Sequence, residues 1–313
     1  MDTLPSIDST GGQTLWVTAP DGAELRAARW LARGPRRGVV LLFNGRTEFI
    51  EKHLALIDHI RAQGWTVWTL DWRGQGLSPR PLPDRHKGHI DRFETYLADA
   101  DALLESRVGP DVGDDPLVLV GHSMGGHLAL RLLARQPARF AGVVLSAPMV
   151  GIHHGCAPAW VADALTAAAI RRGRATDYVA GGERWTPERE RFEGNVVTHD
   201  PDAFQAGLDQ IAANPDLALG GATWGWVRAA RASIATLERQ DWSAVTQPVG
   251  IALASEERIV SNRAIRRLAE RLPNARLVEI EGACHEIYRE ADPMRGQFLA
   301  LLDAVLEAAA PAA

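Results

Sequence analysis

A mostly parallel β-sheet flanked by helices and interrupted by an inserted helical unit is the α/β fold class predicted by this 313-residue sequence. Three observations predict it. Apolar runs such as Gly38–Phe43 are continuous, as in strands covered on both faces. They alternate with stretches of helical spacing, the mark of a parallel α/β sheet. The alternation stops near Gly151 and resumes after Asp241.

In chain order, residues 15–18 and 23–31 flank an Asp21-Gly22 turn signal and read as an opening β-hairpin. Gly38–Phe43 is the first buried strand, and residues 48–63 carry helical spacing until Gly64 stops them. Trp65–Leu70 reads as a strand, 93–107 as a helix, 117–121 as a strand, Met124–Arg135 as a helix and Gly142–Ser146 as a strand. Residues 151–241 hold Ala-rich helical pieces and loops with Trp160, Trp185, Trp224 and Trp226. Strand pattern returns at 248–254, then a helix at Asn262–Arg271, a strand at Ala275–Ile280 and a closing helix at 292–309. The expected organisation is a core of 1–150 and 242–313 with a helical cap of 151–241 near the carboxyl ends of the strands, where open α/β sheets bind ligands.

Composition narrows the function. The chain is 46% hydrophobic and 23% charged, which excludes a disordered or fibrous polymer. Its 34 Lys+Arg against 39 Asp+Glu leave a net charge of −5, without the concentrated basic surface that nucleic acid requires. Cys156 and Cys284 allow at most one disulfide and no thiol metal cluster, and a reducing compartment is expected. The acidic start lacks the basic and apolar regions of a signal peptide, so secretion is not expected, nor is a membrane span.

The chemistry is carried by Gly121-His122-Ser123-Met124-Gly125, a G-x-S-x-G match between an apolar strand and a helix. A strand that turns this sharply into a helix forces strained angles on the serine. Only small residues two before and two after it let the turn close, hence Gly121 and Gly125. Ser123 then sits above the sheet at a helix N-terminus, where the amide of Met124 can hold an oxyanion. No Gly-Lys-Ser/Thr follows, which argues against a phosphate-binding loop. A serine hydroxyl needs a histidine base and a carboxylate behind it. Chain order in such folds is Ser, acid, His. His285 is the one histidine after His199, and the acid lies at Glu256 or Glu257, after the strand ending near Ala254. A second oxyanion donor is expected at the amide of Arg46, in Asn44-Gly-Arg-Thr-Glu48. The Arg46 side chain has two readings: a holder of phosphate or carboxylate, or a surface ion pair with Glu48 or Glu51.

These residues together resemble the α/β-hydrolase family, and within it the bacterial lysophospholipases and monoacylglycerol lipases, also called serine aminopeptidase-like hydrolases. The resemblance covers nearly the whole chain. Asn44–Glu48 is similar to the lysophospholipase form of the oxyanion loop, Asp71-Trp-Arg-Gly-Gln-Gly-Leu-Ser78 to the D-x-R-G-x-G-x-S loop, and residues 121–126 to the GHSMGG elbow. His86-Lys-Gly-His-Ile-Asp-Arg-Phe93 with Tyr96 and Asp99, and in the insert Asn195-Val-Val-Thr-His-Asp200 and residues 220–226, look like further segments of the same group. The resemblance implies Ser123 as nucleophile, His285 as base and Glu257 as acid, in a slot usually written G-x-x-D. Here Ala254 stands for the usual Gly and Glu257 for the usual Asp, so the longer side chain must fold back to reach His285.

No cofactor and no metal is expected. His86 and His89 have HxxH spacing but no obvious third ligand, His153-His154 reads as a polar loop, and Cys284 as packing behind the histidine loop. The expected activity is acyl-ester cleavage of a lysophospholipid. A monoacylglycerol lipase, a short-chain carboxylesterase, a lysolipid acyltransferase and a non-catalytic scaffold are the alternatives. The resemblance places the protein in the cytoplasm, with peripheral contact at the inner membrane left open, and the insert tryptophans read either as packing or as a lid touching lipid.

Overall fold

The computed structural model describes residues 4–153 and 159–311. His154 and Cys156 lie outside the described residues. One sheet of eight strands runs through the molecule in the order β1-β2-β4-β3-β5-β6-β7-β8. The strands are β1 Gly12–Thr18, β2 Glu24–Trp30, β3 Gly38–Phe43, β4 Trp65–Leu70, β5 Leu117–His122, β6 Gly142–Ser146, β7 Val249–Ala254 and β8 Ala275–Ile280. β1 pairs with β2 and β2 with β4 antiparallel; every other pair is parallel. β3 to β7 are buried at every position, which is why their sequences are unbroken apolar runs rather than alternating ones.

The helices are α1 Leu54–Ala62, α2 Phe93–Leu103, α3 Gly109–Val112, α4 Met124–Arg135, α5 Ala159–Arg171, α6 Pro201–Ala213, α7 Trp224–Glu238, α8 Asn262–Arg271 and α9 Met294–Ala309. Three of the boundaries expected from spacing move. The helix expected from residue 48 begins at Leu54, after a 3-10 turn at Ile50–His53. Thr47 has φ 64, which takes the chain off the helical path, and the Glu48 side chain turns back to the amide of Gly45. The helix expected over 93–107 gives way after Leu103 to a π turn at Leu104–Val108 and then to α3. The closing helix starts at Met294, two residues late.

Residues 151–241 lie between β6 and β7 and carry α5, α6 and α7. Asp200 caps α6 through the amides of Asp202 and Ala203, and Thr223 caps α7 through that of Trp226, so both starts are encoded locally. α7 is fastened to the sheet layer from several sides. Trp226 is buried and meets Phe93 edge to face at 5.8 Å, a pairing worth about 0.5–1.5 kcal/mol beyond its area. His127 of α4 spans the junction, Nδ1 against Met149 O at 2.9 Å and Nε2 against Ser233 Oγ at 2.7 Å. Burial, then the charge of Arg131, pushes His127 down to about 3, so it is a neutral strut. His89 works likewise, with Nδ1 2.7 Å from Thr223 Oγ1. That bond accounts for half of the HxxH spacing: His89 docks the loop before α2 onto the cap of α7. The insert tryptophans divide accordingly. Trp226 packs, Trp185 and Trp224 are half-buried, and on α5 Trp160 is 69% and Leu165 55% exposed.

Candidate active site

The strand order reverses at β3, whose neighbours are β4 and β5, and the site forms there, at the switch point of the sheet. Phe43 at the end of β3 is in register with Gly121 of β5, so the loop 44–48 and the turn at Ser123 leave the sheet side by side. Ala254 of β7 is in register with Ile280 of β8, which brings the loop holding Glu257 next to the loop holding His285.

Ser123 stands between β5 and α4 with φ 51 and ψ −116, a conformation that costs on the order of 1–3 kcal/mol for a residue with a side chain. The glycines on either side are sterically obliged. A Cβ on Gly121 would lie 2.7 Å from Gly126 Cα, and one on Gly125 only 2.2 Å from Phe43 O and 2.5 Å from Asn44 O. The strained turn is thus pressed against the loop that follows β3.

His285 Nε2 lies 2.9 Å from Ser123 Oγ, and its Nδ1 lies 2.6 Å from Glu257 Oε2. The other Glu257 oxygen accepts the amides of Ile259 at 2.7 Å and Val260 at 3.2 Å. Burial works to raise the Glu257 carboxyl, but the bond to His285, its charge and these two amides outweigh it and hold the group below its usual range. Glu256 points elsewhere: half-exposed, it faces His199. Of the two neighbouring acids, the structure therefore brings Glu257, not Glu256, to His285. The longer side chain reaches its partner by folding back on its own loop.

The amides of Arg46 and Met124 donate to no acceptor among the described residues; Met124 follows Ser123 directly, and Arg46 lines the same cavity as Ser123. The loop carrying Arg46 is held by a set of bonds that the sequence reading did not anticipate. The Gly45 amide donates to Glu48 Oε2, while Gln75 Nε2 reaches Gly45 O at 2.6 Å and Glu48 O at 3.1 Å. Gln75 belongs to the D-x-R-G-x-G-x-S motif, whose physical role is now plain. Buried Asp71 pairs with Arg26 at 2.6 Å and accepts the amides of Ile50 and Leu77. Gly76 has φ 54 and lies so close that a Cβ would meet the Asp71 carboxyl at 2.0 Å. Ser78 Oγ donates to Asp71 O at 2.6 Å, and Arg73 forks onto Asp99 at 2.7 and 2.6 Å. The motif is a brace that sets the height of the loop after β3.

Glu48 is the least expected member. It is 1% exposed, accepts from Tyr288 Oη at 2.7 Å and lies 3.2 Å from His53 and 3.6 Å from His122. Burial opposes its charge, yet His122, His53 and Lys52 around it hold the carboxyl well below its usual range. His122 is pushed down to about 4, by burial above all, and its ring lies 4.7 Å from that of His285. No single-sequence pattern links Glu48 to Tyr288, 240 positions away.

The Arg46 side chain departs from one of its two sequence readings. It forms no ion pair with Glu48 or Glu51, the latter being taken by Arg26 at 2.7 Å. Instead its guanidinium turns under the insert, donates to Gly220 O at 2.7 Å and lies 5.4 Å from the Trp226 ring. Its Nε has no hydrogen-bond partner among the described residues, and burial lowers the pKa of the group to about 10. Arg46, Ser123, His285 and Trp226 share a cavity of about 240 Å³ whose remaining walls include Met149, Ile152 and Val260. Ser123, His285 and Arg46 thus line one space whose walls are mostly apolar, with Glu48 and Glu286 also on it, and Arg46 has no ion pair among the described residues.

The chain is similar to known proteins over most of its length. The family model described as serine aminopeptidase, S33 matches residues 34–292. Lysophospholipase L2 of Escherichia coli strain K12 is 34% identical over 288 residues, covering 89% of this chain and 82% of the relative. A monoacylglycerol lipase of Mycolicibacterium smegmatis is 26% identical, covering 84% of this chain and 86% of the relative. Among solved structures, a soluble variant of the monoglyceride lipase of Saccharomyces cerevisiae superposes with a TM-score of 0.75 at 18% identity, over 99% of this chain and 97% of that one. At that identity the likeness speaks for the fold alone.

Proposed function

We infer, for a chain that belongs to the serine aminopeptidase S33 family of α/β hydrolases, a lysophospholipase: a cofactor-free serine hydrolase that removes the single acyl chain of a glycerophospholipid. Ser123 Oγ attacks the acyl carbonyl as its proton passes to His285 Nε2, and Glu257 supports the imidazolium at Nδ1. The oxyanion is held by the amides of Arg46 and Met124, donors of a kind worth about 10²–10³ in kcat each. His285 then protonates the departing glycerol oxygen. Water, deprotonated by the same nitrogen, clears the acyl group from Ser123. The site as proposed needs only its own side chains, and the substrate is the sole partner invoked.

The observation that carries the head group is Arg46, which lines the cavity of Ser123 together with Glu48 and Glu286 and whose guanidinium makes no ion pair among the described residues, donating to Gly220 O instead. A buried cation left unpaired is costly, and an anionic substrate supplies the missing charge. A phosphodiester does so with two oxygens matched to the guanidinium fork. A neutral monoacylglycerol would leave Arg46 uncompensated.

The test is fatty-acid release from a 1-acyl lysophospholipid and the monoacylglycerol of equal chain length, with Ser123→Ala as blank. Wild type is expected to favour the lysophospholipid. Arg46→Met keeps the backbone amide and removes the charge. It should lower kcat/KM for the phospholipid by about 10–100-fold, equivalent to the roughly 1.5–3 kcal/mol of a charged hydrogen bond. The neutral lipid should change by less than about threefold. Equal losses on both lipids, or faster release from the neutral one, would move the assignment to monoacylglycerol lipase or general esterase. We further place the protein in the cytoplasm, resting on the inner membrane through Trp160 and Leu165, the exposed apolar side chains of α5.

A further inference from the structure

Three segments meet beside the site without taking part in the chemistry proposed above. Glu256 precedes Glu257 after β7, Cys284 precedes His285 after β8, and His199 lies in the insert one residue before the cap of α6. Their ligand atoms converge: His199 Nε2 is 3.3 Å from Glu256 Oε2 and 3.8 Å from Cys284 Sγ, and all three lie within 4.8 Å of one another. We propose that His199, Glu256 and Cys284 form a binding site for a borderline-soft divalent ion, Zn²⁺, with water as the fourth ligand.

The two distances from His199 are close to a tetrahedron's edges. With Zn–S of about 2.3 Å and Zn–N and Zn–O of about 2.0–2.1 Å, tetrahedral angles put nitrogen about 3.3 Å from oxygen and about 3.6 Å from sulfur. The observed 3.3 and 3.8 Å on the His199 edges need almost no adjustment, and the third edge, from Glu256 to Cys284, lies within 4.8 Å and closes by a turn of the half-exposed Glu256 side chain. A second observation, independent of the spacing, is the carboxylate behind the imidazole. Glu290 is fully buried, lies 3.2 Å from His199 Nδ1 and accepts the amides of His199 at 2.7 Å and Cys284 at 2.6 Å. A carboxylate on the far nitrogen of a metal-bound histidine fixes its tautomer and turns Nε2 outward, as outer-sphere carboxylates of zinc sites do. One buried side chain therefore orients two of the three ligands. The donor set selects the ion: a thiolate with an imidazole and one carboxylate suits zinc and disfavours magnesium or calcium, which take oxygen ligands. Access is open, since the His199 and Glu256 side chains are 47% and 51% exposed.

Binding breaks the S–H bond of Cys284 and forms Zn–S, the proton leaving to water. Without the ion the thiol stays protonated, its pKa pushed up to about 11 by burial and then by Glu290, Glu256 and Glu257. Occupancy joins the insert to the neighbours of both Glu257 and His285, so the ion acts as a clamp across the three segments.

The experiment titrates chelator-treated full-length protein with Zn²⁺ by calorimetry, and with Co²⁺ while recording the ultraviolet thiolate-to-cobalt charge-transfer band. One ion per chain with micromolar or tighter affinity, a rise in Tm on adding Zn²⁺, and a cobalt band are expected. His199→Ala and Cys284→Ser should each weaken binding at least tenfold and abolish the band or the Tm rise while leaving esterase turnover near wild type; Cys156→Ser should bind as wild type does. No binding by wild type, or undiminished affinity and band in Cys284→Ser, would overturn the site. Because the readout is binding, its failure is separate from any failure of the hydrolase assignment.

Discussion

Replacing Glu48 by Gln tests whether a buried carboxylate positions the oxyanion loop. Glu48 offers one oxygen to the Gly45 amide and the other to Tyr288 Oη, with His53 and His122 beside it. Gln keeps the shape and one acceptor. Its amide group must then face either Gly45 N–H, donor against donor, or Tyr288, whose hydroxyl would have to turn and accept. The milder arrangement still exchanges charged for neutral hydrogen bonds, a loss of about 1.5–2 kcal/mol in stability. The functional effect is larger in proportion, because Gly45 precedes the amide proposed to hold the oxyanion. Losing that donor outright costs about 10²–10³ in kcat, and partial displacement should cost about 10–100-fold with KM within about threefold. Steady-state hydrolysis of a soluble p-nitrophenyl ester, beside urea denaturation, measures both. Tyr288→Phe is the control: it removes one bond to Glu48 and leaves the Gly45 bond intact, so kcat should stay within about threefold while stability falls by about 1 kcal/mol. Wild-type kcat in Glu48→Gln, or a change confined to KM, would refute the positioning role. The charge has a pH signature as well. A carboxyl held below its usual pKa contributes stability that is present above about pH 4.3 and is lost as pH falls through the folded value, so wild type and Glu48→Gln should converge in stability under acid.

Glu257→Gln should lower kcat by about 10³–10⁴ by favouring the wrong imidazole tautomer. Because the Glu257 carboxyl is likewise depressed, the stability gap between wild type and this variant should be full at neutral pH and shrink below about pH 4, and a gap that widens in acid would contradict the ion pair with His285. Gly125→Ala forces a Cβ within 2.2 Å of Phe43 O, a backbone atom that cannot step aside. It should destabilise by about 1–3 kcal/mol or more and depress kcat by displacing the loop after β3; an unchanged melting temperature would show the close approach to be wrong. Trp160→Asp with Leu165→Asp should reduce sedimentation with anionic phospholipid vesicles several-fold without altering hydrolysis of a soluble ester, and equal sedimentation would remove α5 as the membrane contact.

What could be read from the sequence separates from what could not along one physical line. The parallel strands were legible because burial on both faces leaves an unbroken apolar run, and the elbow because its strain, its two glycines and its serine lie within five residues. Ser123, His285 and the pair Glu256/Glu257 were legible through chain order, although choosing Glu257 needed a resemblance until the bond to His285 supplied a reason. Arg46 marks the boundary. The place of its amide follows from the loop after β3, but its guanidinium is decided by Gly220 and Trp226, over 170 residues away, so a surface ion pair looked as reasonable as a buried cation. Glu48 and His199 lie beyond that boundary, since their partners Tyr288 and Cys284 come from the far side of the insert. The segment between β6 and β7 therefore does more than cover the site. By reaching back to Arg46, His89, His127 and the histidine loop, it converts residues that look like surface charges in sequence into buried groups with assigned partners. A substitution at Gly220 or Thr223 should accordingly be felt at Arg46 or His89 before it is felt in the sheet.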